Sequence, residues 1–296
     1  MVTVKSYAKL NICLKITGVE NGYHMLESAV MTVDKYDVIT VKKRKDNKIL
    51  VSFTGKYAFT PKFQEQTNAY KSAKLFMDTF KTSGVEVTVK RNIPDGSGMG
   101  SSSADIVGVL NAMKKLFKVD KDILPLANSL GSDCAVLLNG GFSKMKNRGE
   151  LVESLKTEHN YYFVVIHSKS KVGTKECFDL YDKEFSKESK VNADLVCKGI
   201  ADGDIDLIKE NCGNDLYYPA IKLNPEIEKN LNVLKSLSPD VCLMTGSGSS
   251  CFSMYKEYEM ASWAYEKLKK SYNVELLSYF NPNEQTFFQK LFNKNF

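Results

Sequence analysis

PDGSGMGSSSA, residues Pro94 to Ala104, follows a segment of strict alternation, VEVTVK at 85–90, and runs directly into a helical pattern. That order of strand, glycine loop and helix decides how the rest of the chain is read. Gly96, Gly98 and Gly100 let the backbone approach a ligand closely, and the helix that follows points free N–H groups and its positive dipole end toward it. Ser101, Ser102 and Ser103 add hydroxyl groups and a candidate magnesium ligand. A phosphate cradle is what this chemistry suits. It is not a Walker A loop, because no Gly-Lys-Ser/Thr follows, and Ser101 stands where G-x-G-x-x-G needs its last glycine. A plain turn with an N-cap serine is the competing reading.

Upstream of the loop, residues 67–82 carry apolar side chains at helical spacing (Ala69, Ala73, Phe76, Phe80), with Thr67 as the cap. Residues 2–17 and 29–54 alternate like strands, with Ile39 and Val41 facing away from Val38, Thr40 and Lys42. Downstream, 104–117 is helical, with Ile106, Val109, Leu110, Met113, Leu116 and Phe117 on one face. A short helix from Leu124 leads into LGSDCAVLLNGG. FSKMK, ELVESL and the apolar YYFVVI read as strands, 182–190 as a charged turn, and 191–201, 203–212 and 225–237 as helices. VCLMTGSGSSCFSMY reads as two strands joined by a glycine-serine loop, before a helix at 257–271 and a strand at 273–279. Strands and helices mix without regular βαβ alternation, so the expected class is α+β. A length of 296 residues implies two domains, placed at 1–156 and 157–280, with a tail at 281–296.

Composition removes several classes of function. Hydrophobic residues at 43% and charged residues at 26% are globular values, which disfavours a disordered or fibrous chain. The longest apolar run, Tyr161 to Ile166, is far below the roughly 20 residues that span a bilayer. The N-terminus has no secretory or transit pattern, so the expected location is the cytoplasm, with no membrane partner. Net charge is +6, yet only Arg44, Arg91 and Arg148 are arginines, a poor endowment for reading nucleic acid. Seven cysteines without a C-x-x-C and three scattered histidines indicate neither a disulfide framework nor a zinc site.

Four further segments are ambiguous alone. Thr245-Gly-Ser-Gly-Ser-Ser250 reads as a hairpin connection or a second ligand loop. Asp133, a lone acid among small and apolar neighbours, is a desolvated base or a helix cap. Lys9, inside an alternating strand, is a buried cation or an edge lysine. Gly22-Tyr23-His24 is a turn followed by two aromatic rings.

Their order is informative. Tyr7-Ala-Lys-Leu-Asn-Ile12, Asn21-Gly-Tyr-His24, the 94–104 loop, Leu130-Gly-Ser-Asp133, Asn147-Arg-Gly-Glu150, Asn214-Asp-Leu216, Pro225-Glu-Ile227 and Thr245-Gly-Ser-Gly248 together resemble the GHMP small-molecule kinases. Within them the pattern most resembles the branch acting on a cytidine-diphosphate-linked methylerythritol in the non-mevalonate route to isoprenoids. The likeness runs from about residue 5 to 280. The loop departs from the branch's usual G-L-G-G-G-S-S in carrying serines at 101 and 102 and Ala104, and Asn21 replaces an acid.

The resemblance implies a two-domain α+β fold with its active site in the cleft between the halves. It implies ATP, with its phosphates over Pro94, Asp95, Gly96, Ser97, Gly98, Met99, Gly100, Ser101, Ser102, Ser103 and Ala104, and Mg²⁺ touched by Ser103. Asp133 would be the base on a tertiary 2-hydroxyl, and Lys9 would pair with it and stabilise charge on the transferring phosphoryl group. Asn11, Gly246, Ser247 and Gly248 would touch the substrate, and Tyr23 and His24 would hold its cytosine, with Phe178 on its other face. Kinases for mevalonate, phosphomevalonate or homoserine, or a silent ligand-binding relative, are the alternatives. The expected assembly is a monomer or homodimer.

Overall fold

A computed structural model of the chain describes residues 1–186 and 189–284, so most of the expected tail lies outside the described residues. The first sheet is organised by one long strand. β3 (Tyr23–Lys43) pairs antiparallel with β1 (Val2–Asn11), β2 (Lys15–Glu20), β5 (Val85–Lys90) and β6 (Phe142–Asn147). β4 (Ile49–Thr54) extends the sheet parallel to β5, and β7 (Leu151–Leu155) closes the other edge against β6. Alternation aims Ile39, Val41, Val85, Val87 and Val89 at one face, where they bury against α1 (Asn68–Phe80) and α2 (Ser101–Phe117). Thr67 caps α1 by accepting a hydrogen bond from the Tyr70 N–H at 3.2 Å. α3 (Leu124–Leu130) and α4 (Cys134–Asn139) complete this half.

The second sheet has the order β11-β8-β10-β9, all antiparallel, from β8 (Tyr162–Ile166), β9 (Val241–Met244), β10 (Cys251–Tyr255) and β11 (Val274–Ser278). Around it lie α5 (Thr174–Leu180), α6 (Ala193–Asp202), α7 (Ile205–Asn211), α8 (Tyr217–Leu223), α9 (Glu226–Lys235) and α10 (Tyr258–Leu268). The segment expected as a charged turn contains one π-helical turn, Tyr181–Phe185. Neither α5 nor α8 is foreshadowed by the sequence. α5 starts after Gly173 with no side-chain cap, and α8 carries Pro219 in its first turn, where a missing N–H is harmless. No helix among the described residues is long and apolar enough to cross a membrane.

One core joins the halves. Leu10 and Met31 of the first sheet share a buried cluster with Phe163, Val165, Phe252 and Met254 of the second and with Val196 and Ile200 of α6. Lys144 on β6, itself buried, reaches Asp194 on α6 at 2.5 Å. The seven cysteines are free, and burial pushes the Cys134, Cys177, Cys197 and Cys242 thiols up to about 12, so these four pack as inert apolar groups.

Candidate active site

The 94–104 loop is rooted at both ends before it reaches the cleft. The Asp37 carboxylate accepts from the Asn92 and Ile93 N–H groups at 2.5 and 2.8 Å, and Ile93, Met99 and Ala104 are fully buried. Ser97 Oγ closes the turn on the Pro94 carbonyl at 2.7 Å. Gly100 sits at the N-cap of α2 with φ +81°, a left-handed geometry that favours glycine. α2 therefore starts three residues earlier than the apolar periodicity indicates, and Ser101, Ser102 and Ser103 are its first turn. Ser102 accepts from Asn68 Nδ2 at 2.6 Å. The buried Ser101 hydroxyl has no partner among the described residues.

Beneath the loop, Arg91 at the end of β5 pairs with Asp105 on α2, and its guanidinium lies 5.1 and 5.0 Å from the Phe53 and Phe59 rings. Burial pushes the Asp105 carboxyl up to about 7, against the pull of Arg91.

The second glycine-serine loop is more than a hairpin. Ser249 and Ser250 donate their N–H groups to the Gly96 and Ser97 carbonyls at 3.3 and 3.2 Å. Thr245 Oγ1 donates to the Gly98 carbonyl at 3.2 Å and accepts from the Asn11 N–H at 3.0 Å. Asn214 Nδ2 steadies this loop through the Met244 and Gly246 carbonyls. The two loops, about 150 residues apart in sequence, form one backbone platform.

At its edge lies a charge pair. Lys9 is only 3% exposed; its Nζ is 2.5 Å from Asn11 Oδ1 and 3.2 Å from Asp133 Oδ2. That resolves the edge-lysine alternative in favour of a buried cation. Asp133 occupies the N-cap position of α4, yet its side chain makes no capping hydrogen bond. Its carboxylate, 28% exposed, faces the cleft.

Both ends meet in a cleft of about 730 Å³ lined from both sheets. At its far wall His24 lies against Phe178, ring centroids 4.5 Å apart, with His24 Nε2 2.8 Å from Asp182 Oδ1. Tyr23 is 52% exposed, and the Arg148 guanidinium sits 3.5 Å from its ring centroid. Thr174 Oγ1 is 3.0 Å from Ser247 Oγ, which ties the start of α5 to the second loop.

Comparison with known proteins matches this frame along its length. The GHMP kinases N terminal domain model matches residues 67–142, and the GHMP kinases C terminal model matches 196–274. The chain is a GHMP kinase. It is 31% identical to 4-diphosphocytidyl-2-C-methyl-D-erythritol kinase of Clostridium beijerinckii, over 91% of this chain and 96% of that one. It is 32% identical to the enzyme of the same name from Clostridium perfringens, over 91% and 94% of the two chains. Among solved structures, one of 4-(cytidine 5'-diphospho)-2C-methyl-D-erythritol kinase superposes with a TM-score of 0.77 at 24% identity, covering 93% of this chain and 98% of that one. Homoserine kinase from Cytophaga hutchinsonii follows at 0.71 and 20%, covering 95% of each chain.

For this ATP-dependent kinase, the cleft gathers nearly all the residues expected from the sequence. Lys9, Asn11, Tyr23, His24, Phe178, Asp133, Gly246, Ser247 and Gly248 line it together with most of the 94–104 loop. Pro94, Met99 and Ala104 are buried beneath it. Phe178 does not face His24 across a ligand-sized gap as the resemblance implies: the two rings pack at 4.5 Å, too close to admit a base between them, and form one wall. Sequence reading missed Arg148 and Lys175. Arg148 lies in Asn147-Arg-Gly-Glu150, where the sequence gives it no role, and Lys175 belongs to α5, which the sequence does not foreshadow. It also missed a neighbouring cavity of about 370 Å³, lined by Phe53, Phe59, Phe63, Arg91 and Asp105, which shares Asn68, Asp95 and Ser102 with the cleft.

Proposed function

We propose that this kinase transfers the γ-phosphoryl group of ATP to the 2-hydroxyl of 4-diphosphocytidyl-2-C-methyl-D-erythritol. The observation that carries the reading is the Lys9–Asp133 pair at 3.2 Å beside a glycine platform, in a cleft whose far wall is aromatic. The platform's N–H groups and the α2 N-terminus take the phosphates. The base of ATP fits the adjoining aromatic cavity, which is continuous with the phosphate loop through Asn68, Asp95 and Ser102.

The donor set fits a magnesium ion brought in with the nucleotide. Among the described residues no three His, Cys, Asp or Glu side chains could hold a metal by themselves, so nucleotide oxygens would supply most ligands. Ser103, or Ser101, whose buried hydroxyl has no partner among the described residues, would hold it. Bound there, the ion would neutralise charge on the phosphates.

A tertiary alcohol is hindered, so an aligned base is valuable. The Asp133 carboxylate takes the hydroxyl proton as the alcohol oxygen bonds to the γ-phosphorus and the bond to the β-phosphate oxygen breaks. Lys9, held by Asn11, faces the charge that develops on the phosphoryl oxygens. Arg148 covers one face of Tyr23 and leaves the other for the cytosine, with His24 and Phe178 as the adjoining wall. We assign the enzyme to the cytoplasm, where ATP is available, as a monomer or homodimer.

The deciding experiment is a panel with ATP and Mg²⁺ across the diphosphocytidyl substrate, mevalonate and homoserine. Turnover only with mevalonate or homoserine would overturn the substrate assignment while leaving a GHMP kinase. Tyr23→Ala should lower kcat/KM for the diphosphocytidyl substrate by about one to two orders of magnitude, since a stacked base is worth roughly 1–3 kcal/mol. ATP affinity should barely move, and a loss shared equally by ATP would remove Tyr23 from the acceptor site.

Lys175 and Phe178 are three residues apart on α5, hence on one helical face, and both line the cleft. No charged partner lies within ion-pair reach of Lys175 among the described residues, which suits it to a substrate diphosphate. CDP should protect the wild type against heat more than cytidine does, and Lys175→Ala should erase that difference. An unchanged difference would release Lys175 from the role.

A further inference from the structure

His167 stands outside the cleft, just beyond the end of β8, and is almost wholly buried. A buried imidazole with no contact to substrate normally packs as a half-polar core residue. This one has a hydroxyl in hydrogen-bond contact on one side and a carboxylate facing it on the other. Nδ1 lies 2.9 Å from the Ser250 hydroxyl, and Nε2 lies 3.3 Å from Glu275 Oε2 on β11. Glu275 is fixed in turn by Lys35 Nζ at 2.5 Å and Lys56 Nζ at 3.5 Å. Burial alone would raise the Glu275 carboxyl, yet His167 and Lys35 bring it down to about 2, so the anion beside the imidazole persists at neutral pH.

Ser250 is the residue through which this arrangement reaches the nucleotide platform. Its N–H donates to the Ser97 carbonyl at 3.2 Å, and its own carbonyl accepts from the Thr245 N–H at 3.1 Å. Thr245 then reaches the Gly98 carbonyl. Every backbone group that Ser250 uses is therefore committed to the two loops, and its hydroxyl is committed to His167. We propose that His167, oriented by Glu275, is a positioning residue for the ATP-phosphate loop, acting through Ser250. Its role is to fix the second glycine-serine loop in the register that holds the Gly96, Ser97 and Gly98 carbonyls away from the phosphates. The N–H groups of the first loop are thereby left facing the ligand.

A purely structural histidine would cost thermal stability without selecting among ligands, and that difference is measurable. Calorimetric titration of the full-length chain with a non-hydrolysable ATP analogue needs no acceptor, so it is independent of the substrate assignment. His167→Ala and Ser250→Ala should each weaken the analogue by about tenfold, equivalent to about 1.4 kcal/mol. The double variant should be no weaker than either single one, because both break the same link. His167→Gln, which retains a hydrogen-bonding group, should recover part of the loss. In steady state the change should appear in KM for ATP, with KM for the acceptor within about twofold of wild type. Additive losses in the double variant would overturn the proposal, as would folded single variants that bind the analogue like wild type. If His167→Ala does not fold, Ser250→Ala and His167→Gln carry the same comparison, and unchanged affinity in both would overturn it equally.

Discussion

Asp133→Asn should lower kcat by about 10²–10⁴-fold, the range expected when a positioned general base is removed. Asparagine keeps the shape and size of the side chain but cannot take the proton of the acceptor hydroxyl. Asp133 offers α4 no capping hydrogen bond, so little helix stability rides on its carboxylate. Lys9 keeps Asn11 Oδ1 at 2.5 Å when the carboxylate is replaced, so the buried cation retains an acceptor. The variant should therefore fold and bind an ATP analogue with near-normal affinity. Single-turnover measurement of phosphoryl transfer separates the chemical step from binding, and a wild-type rate there would remove Asp133 from the role of base.

Gly98→Val should abolish nucleotide binding and sharply lower the melting temperature at the same time. The sequence suggests that a side chain here would block the phosphates. The structure relocates the collision. A Cβ on Gly98 would run into the Thr245 carbonyl oxygen and come within 3.1 Å of the Gly248 carbonyl, at a φ of +75° that valine resists. Left-handed backbone costs a β-branched residue roughly 1–2 kcal/mol, and forced overpacking typically adds 1–3. The platform must separate to accept that, so the fold suffers along with the site. At Gly100 a Cβ would sit 3.3 Å from Lys9 Cγ and 3.5 Å from Leu137 Cδ1, so Gly100→Val should disturb Lys9 while unfolding the protein less. Calorimetry with the ATP analogue and a thermal melt on both variants check this. A Gly98→Val protein that melts and binds like wild type would reduce the loop contact to coincidence.

The local half of the site was legible because glycine and capping chemistry are short-range. VEVTVK into a glycine run located the phosphate loop, and Thr67 marked its helix, since each depends on neighbours a few residues away. Asp133 and Lys9 were ambiguous for the opposite reason. Whether a lysine in an alternating strand is buried depends on what crosses it, and the acid and amide that accept it are set by tertiary packing. The docking of Thr245–Ser250 onto Gly96–Gly98 has no local signature, because backbone carbonyls carry no sequence identity. Arg148 was visible as a residue but not as a partner of Tyr23. α5 and α8 have seven residues each and begin without a side-chain cap, whereas the equally short α3 and α7 are announced by Pro125 at the second helical position and by the Asp204 cap.

The core shared by Leu10, Met31, Phe163 and Phe252 has a consequence for how ligands enter and leave. Two lobes that swung apart like a jaw would have to carry those side chains into water, at roughly 1.5–3 kcal/mol for each one fully exposed. Rotation of one half against the other is thus an expensive route to opening. A much weaker contact lies beside the phosphate loop. Lys171, between β8 and α5, lies across Gly96 and reaches Asp95 at 2.6 Å, and both partners are largely solvated. Such an exposed tether is worth about 1 kcal/mol or less, so thermal motion can undo it readily and added salt weakens it further. Undoing that contact costs far less than separating the shared core.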